Sequence, residues 1–119
     1  MPKLRVRNQT RDTVLADRAD IADTAAKRNT GLLKRTGLAP GEGLWIVPCP
    51  AVHTIGMKFP IDVVFLSRDK KVLKIRRVMK KWRMAMCLGA RSVLELPAGR
   101  CDTMQTSVGD VLEFEKYDA

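Results

Sequence analysis

The run Ile61-Asp62-Val63-Val64-Phe65-Leu66 is apolar at five of its six positions. A strand with one wet face shows a polar residue at every second position, so this run needs cover on both faces. It is far short of the roughly 18 apolar residues of a membrane span. The rest of the chain must therefore supply a sheet with material packed on either side. The chain has 119 residues, of which 45% are apolar. Residues 1–119 are read as one domain, able to bury about two-thirds of its unfolded surface without a metal or disulfide framework.

Several other segments read as strands. Lys3 to Asn8 alternates, with Leu4 and Val6 set between basic residues. Leu44 to Cys49 is bounded by Pro48 and Pro50. Arg68-Asp69-Lys70 forms a hairpin tip from which Lys71 to Val78 returns. Arg91 to Leu96 and Val111 to Glu115 complete the set. Met79 to Ala90 has no clean period and is read as a loop. A helix is expected from Asp17, its cap, with Asp20 three residues on. Ile21, Ala22, Ala25, Leu32 and Leu33 keep a helical period towards Arg35, and Gly37 is the stop. Ala98 to Gln105 is read as a helical turn presenting Cys101 and Met104 inward. The expected fold class is α+β: a mostly antiparallel sheet curled into a roll or small barrel, with a helical segment near the N-terminus.

Three cysteines, Cys49, Cys87 and Cys101, form no C-x-x-C pair. An odd count without that spacing argues against a disulfide scaffold or zinc knuckle and fits a reducing compartment. The start, MPKLRVRNQTR, lacks the apolar core of a signal peptide, so a cytoplasmic location is expected. No cofactor, metal or membrane partner is expected either.

The net charge of +9 is uneven. Arg68 to Arg83 carries nine basic residues against one Asp, whereas Asp110 to Asp118 carries four acids against Lys116. A balance of this kind concerns association with anionic partners rather than fold. The candidate anion- or partner-binding residues are Lys70, Lys71, Lys74, Arg76, Lys80, Lys81 and Arg83. The plainer expectation is that the acids of the last strand offset part of this charge across the sheet. With Trp82 the single aromatic in the run, specific nucleic-acid recognition is not expected.

The sharpest chemical pair is His53, the one histidine in the chain, with Asp62. A carboxylate orients an imidazole and raises its basicity, and histidine is the usual proton carrier near neutral pH. Cys49 stands four residues earlier. The plainer reading makes Met57, Phe59 and Ile61 core and Asp62 a turn cap. It treats Cys49 as a small buried hydrophobe, and it notes that one His with one Asp falls short of a catalytic zinc set. Glu95, inside Leu94-Glu95-Leu96, either faces solvent or points inward and needs a partner, which His53, Lys58 or Arg91 could provide. Gly99 and Gly109 are read as turn residues with positive φ.

Taken in chain order, Gly31-Leu32-Leu33-Lys34-Arg35, His53-Thr54-Ile55-Gly56-Met57, Ile61-Asp62-Val63-Val64-Phe65-Leu66, Val93-Leu94-Glu95-Leu96-Pro97-Ala98-Gly99 and Gly109-Asp110 resemble the uncharacterised prokaryotic family called domain of unknown function 192. The likeness spans nearly the whole chain. It departs where that family often has Pro-Trp, since Lys81 precedes Trp82 here, making the loop more basic. The resemblance implies a compact mixed fold and no particular activity. The leading reading is therefore a small binding domain, with a ligand pocket around His53, Met57, Asp62 and Glu95. One alternative is a small hydrolase or other acid–base enzyme using His53 and Asp62. Another is an accessory protein that docks on an acidic partner or nucleic acid through the basic hairpin 68–83.

Overall fold

Alternation along two central strands divides the interior into two apolar clusters. In the computed structural model, which describes residues 2–118, Val64 and Leu66 face one cluster together with Leu94 and Leu96. Ile61, Val63, Phe65 and Val93 face the other. All six residues from Ile61 to Leu66 are buried, so both faces of this strand are covered.

The strands in chain order are β1 (Pro2–Asn8), β2 (Thr13–Ala22), β3 (Glu42–Ile46), β4 (Ala51–His53), β5 (Ile61–Leu66), β6 (Val72–Met79), β7 (Met84–Met86), β8 (Ser92–Pro97) and β9 (Leu112–Asp118). Two short helices join them, α1 (Ala25–Thr30) and α2 (Arg100–Thr103). Seven strands form one sheet in the order β6-β5-β8-β3-β2-β1-β9, and β4 pairs with β7 in a separate two-stranded ribbon. The sheet is mixed: β2 and β3 run parallel, and the other neighbours are antiparallel. The domain is small, mostly strand, and its sheet is open rather than a closed barrel. Its two edges approach at a single bridge between Lys71 and Val111, where Leu112 N–H also donates to Lys70 O at 2.9 Å.

Residues 17–22, expected as the start of the helix, instead form the second half of β2. The pairing of β1 with β2 slips between Leu4 and Val6 and again between Val6 and Arg7, because β2 carries extra residues. The bulge between Ala16 and Ala19 sets these two buried side chains three apart, and the buried Ala22 follows at the same interval. That spacing copies a helical period on an extended strand. Asp17 therefore caps nothing, and Thr24 is the cap of α1, its hydroxyl accepting from Lys27 N–H at 3.2 Å. The expected loop 79–90 is also corrected, since Met84–Met86 pairs with Ala51–His53. The Ser67–Lys71 hairpin tip and the inward Cys101 are as expected.

The acids of β9 lie beside β1, not beside the basic hairpin. Glu113 stands opposite Arg7 and Glu115 opposite Arg5. The basic segment meets the tail only through backbone at Lys70–Val72 and the Lys70 stack on Phe114, and among the described residues no ion pair joins Lys70–Arg83 to the acids of 110–118. In the middle of the sheet, Gly43 is required by close approach. A Cβ there would sit 3.0 Å from Glu95 O and 3.2 Å from Leu96 Cδ2.

Candidate functional site

The carboxylate of Asp62 is fully buried and spent on structure. Its Oδ1 accepts from Val78 N–H at 2.8 Å and Gly99 N–H at 3.0 Å, and its Oδ2 accepts from Cys101 N–H at 2.9 Å. Gly99 adopts φ 86°, a turn that aims its own N–H and that of Cys101 at this one side chain. The free N–H groups at the start of α2 are thus met by a carboxylate from within the chain. Asp62 shares its face of β5 with Val64 and Leu66.

The opposite face carries a cavity of about 290 Å³. Its walls include Leu32, Leu33, Ile46, Val52 and Met57, and Glu95 lies among its lining residues. Pairing fixes this orientation. Glu95 stands opposite Val63 on β5 and Leu44 on β3, so it belongs to the Val63 face and not the Asp62 face. Glu95 is 5% exposed, and among the described residues no protein group donates a hydrogen bond to its carboxylate, which borders the cavity and is not among the sealed, unpartnered polar atoms, Trp45 Nε1 and Ser92 Oγ. Burial pushes its pKa up to about 7. A carboxyl so placed holds its proton near neutral pH, because desolvation penalises the anion and no donor offsets that penalty. His53, Lys58 and Arg91, expected as partners if Glu95 turned inward, make no hydrogen bond to it.

His53 also lines the cavity, but it is an exposed residue at the end of β4. It does not meet Asp62. Val52, its neighbour in β4, packs into the cluster of Val63 and Phe65, while Asp62 points to the other side of the same strand. The expected His53–Asp62 pair is therefore not formed, and no proton relay joins them. Met57 is buried in the cavity wall. The corner itself is held by Thr54, whose hydroxyl donates to Lys80 O at 2.6 Å and accepts from Arg83 N–H at 2.8 Å. Because His53 is exposed and makes no hydrogen bond among the described residues, His53→Ala is expected to change stability by less than about 0.5 kcal/mol. Chemical denaturation checks this, and a loss above about 1 kcal/mol would mean that His53 has a structural partner.

Cys49, Arg28 and Asn29 line the same cavity. Arg28 and Asn29 were not legible as site residues, because nothing in their local sequence marks which face of the sheet α1 covers. Cys49 Sγ donates to Ala51 O at 2.9 Å. Desolvation pushes its thiol pKa up and the nearby Glu95 adds to the rise, so Cys49 stays protonated and is a poor nucleophile. Among the described residues, no group of three or more His, Cys, Asp or Glu side chains is placed to hold a metal ion.

The basic hairpin is less uniform than its sequence. The Lys70 ammonium sits 5.1 Å over the Trp45 ring and 5.3 Å over that of Phe114, at the seam between the sheet edges. Lys74 Nζ donates to Met86 O at 2.8 Å. Arg83 braces its own loop through the carbonyls of Lys81 and Trp82. Arg76 is half-buried, and Lys71, Lys80 and Lys81 are exposed.

A model of the family DUF192, described as "Uncharacterized ACR", matches residues 6–114 of this chain. A UPF0127 protein of Thermococcus sibiricus is 31% identical over 117 residues, covering 91% of this chain and 73% of that protein. A crystal structure of a protein of unknown function from Novosphingobium aromaticivorans superposes with a TM-score of 0.80 at 23% identity, covering 93% of this chain and 83% of that one. A structure from Sinorhizobium meliloti, which carries only the name of a candidate transcription regulator, gives a TM-score of 0.83 at 21% identity over 96% and 94% of the two chains. These two structural likenesses establish the fold alone.

Proposed function

This chain belongs to the uncharacterised family DUF192, and from that premise we propose that it is a binding domain whose cavity takes a small molecule bearing a protonated amine, held against Glu95. The observation that carries this reading is a buried carboxylate that receives no hydrogen bond among the described residues, set in a cavity whose lining mixes apolar side chains with Arg28, Asn29 and His53. Left empty, that group costs the fold stability. A cationic N–H donor from a ligand would offset the cost, and functional residues are commonly kept at such a disadvantage. The volume lies at the low end of ligand sites, so the ligand is of small-metabolite size. Arg28, in the cavity lining, suits a carboxylate on the same molecule, which would make amino-acid-like zwitterions the leading candidates.

Acid–base catalysis by His53 and Asp62 is not favoured, since the two groups occupy opposite faces of the sheet. A reducing, cytoplasmic setting is supported by the unpaired state of Cys49, Cys87 and Cys101. The finer description of the fold as an α+β roll is supported by the Lys71–Val111 bridge that draws the sheet edges together.

The test is a thermal-shift screen of small primary amines and amino acids at pH 8, with matched carboxylic acids and alcohols as controls. At least one amine should raise the melting temperature of the native chain and not that of Glu95→Gln. Stabilisation that persists in Glu95→Gln, or that comes equally from the acids, would overturn the assignment.

A further inference from the structure

One surface breaks the usual pattern of a soluble face. Ile55, Val78, Trp82, Met84, Met86 and Leu88 are all exposed large apolar side chains, Trp82 at 67%, Met84 at 71% and Leu88 at 88%. Four of them, Ile55, Trp82, Met84 and Met86, are set together by the β4–β7 pairing and its adjoining turn, and Leu88 follows two residues after Met86. Met84 lies opposite His53 and Met86 opposite Ala51 in the β4–β7 ribbon, with Val52 and Ala85 turned to the core between them. Trp82 N–H donates to Thr54 O at 3.3 Å, which sets Trp82 beside Ile55. Contiguous apolar exposure of this kind marks a contact surface.

The charge around it selects the partner. From Lys70 to Arg91 the chain has nine basic residues and no acid, and among the described residues Arg77 alone of these is paired with a carboxylate, that of Asp102 at 2.7 Å. A second copy offering the same face would bring like charges together, so this is not a self-association surface. Trp82, Met84, Met86 and Leu88 line neither of the two cavities described on this molecule. The apolar patch thus lies outside both, and a partner that conforms to an exposed surface suits it better than a peptide that needs a groove. The exposed apolar residues are five aliphatics to one aromatic, which suits hydrocarbon better than the stacking surface a single-stranded nucleic acid uses.

We propose that the ribbon and loop 78–88 form a peripheral docking surface for an anionic lipid bilayer. Trp82, Met84, Met86 and Leu88 enter the headgroup–acyl boundary, and Lys80, Lys81 and Arg83 meet lipid phosphates. No described helix is long and apolar enough to cross a membrane, and this docking needs none. The ribbon borders the Glu95 cavity through Val52 and His53, so the bound face lies next to the cavity lining. The docking itself does not depend on the ligand reading.

The experiment is co-sedimentation of the full chain with vesicles of phosphatidylcholine alone or with about one-third phosphatidylglycerol, in 0.1 M salt, with tryptophan emission recorded in parallel. Binding is expected to the anionic vesicles only, with a blue shift that is absent in Trp82→Phe. Lys80→Gln with Lys81→Gln should weaken it about thirtyfold, since each basic residue near a bilayer surface contributes on the order of 1 kcal/mol. Met84→Ser with Leu88→Ser, both on exposed side chains and so compatible with folding, should abolish the blue shift and most of the binding. Failure to bind anionic vesicles would overturn the proposal. So would binding that survives loss of the apolar side chains, which would be bare charge attraction. Tighter binding to single-stranded DNA than to vesicles would overturn it in favour of nucleic acid.

Discussion

Glu95→Gln is expected to stabilise the protein by about 3 kcal/mol at pH 8 relative to its effect at pH 4.5. The carboxyl of Glu95 is displaced upward by burial, from 4.5 to about 7. Below pH 4.5 the group is protonated in both folded and unfolded chains, and its ionisation costs folding nothing. Between 4.5 and 7 the unfolded chain loses this proton while the folded chain keeps it. The folded state then binds more protons, so stability falls as pH rises and levels off above about 7. Each unit of displacement corresponds to 1.36 kcal/mol, which gives the size of the effect. Asp20 and Asp110 act in the opposite sense. Hydrogen bonds to Asp20 from Lys3 and Arg35, and to Asp110 from Asn8, Ser107 N–H and Arg11, outweigh their burial and hold both below 3.8. Their contribution is present above 3.8 and is lost as pH falls through their lowered values, outside the Glu95 window. Urea denaturation of native and Glu95→Gln chains from pH 4.5 to 8 measures the gap between them. A gap that stays constant with pH would show that Glu95 titrates alike in both states.

Asp62→Ala carries the second large effect, a loss of about 3–5 kcal/mol. Removing the carboxylate leaves the N–H groups of Val78, Gly99 and Cys101 without the acceptor that serves all three. Asp62→Asn should cost less. Its amide oxygen can still accept from Val78 and Gly99, while its amide nitrogen faces the Cys101 N–H. Because Asp62 and Glu95 lie on opposite faces, neither change should alter amine binding measured under conditions where the variant remains folded. Asp62→Ala as stable as the native chain would remove the structural role assigned here. Loss of amine binding in a folded Asp62→Asn would instead place Asp62 in the site.

How much of this was legible in the sequence depended on whether a local pattern carried the information. The Ile61–Leu66 run demanded cover on both faces and has it, because an unbroken apolar strand admits no other solution. The hairpin at Arg68–Lys70 and the turn at Gly99 followed from residue types that tolerate their backbone geometry. Strand β2 differs from the expected helix for a specific reason: Asp17 and Asp20 stand in the positions of a cap and its partner, and the period of Ile21, Ala22 and Ala25 runs across the end of β2 into α1. The bulge between Ala16 and Ala19 adds a buried spacing of three that hides the alternation of a strand. The three-residue strands β4 and β7 left no alternating run to find, since their pairing is settled by distant contacts.

The candidate site was half legible. Glu95 stands out in the sequence as an acid in an apolar strand, and the sequence expectation groups Met57 and His53 with it. The pairing of His53 with Asp62 failed because period two tells which residues share a face, not which face a later loop covers. Only the packing of Val52 against the Val63 side decides that.

The central claim is that Glu95 is a buried carboxyl without a donor, suited to a cationic ligand. The direct measurement is the carbon chemical shift of the Glu95 side-chain carboxyl followed against pH, in the free protein and with the amine that stabilises it most. A midpoint near 7 in the free protein, moving down by a unit or more when the amine binds, is the predicted result. A free midpoint near 4.5, or one that the amine leaves in place, would contradict it.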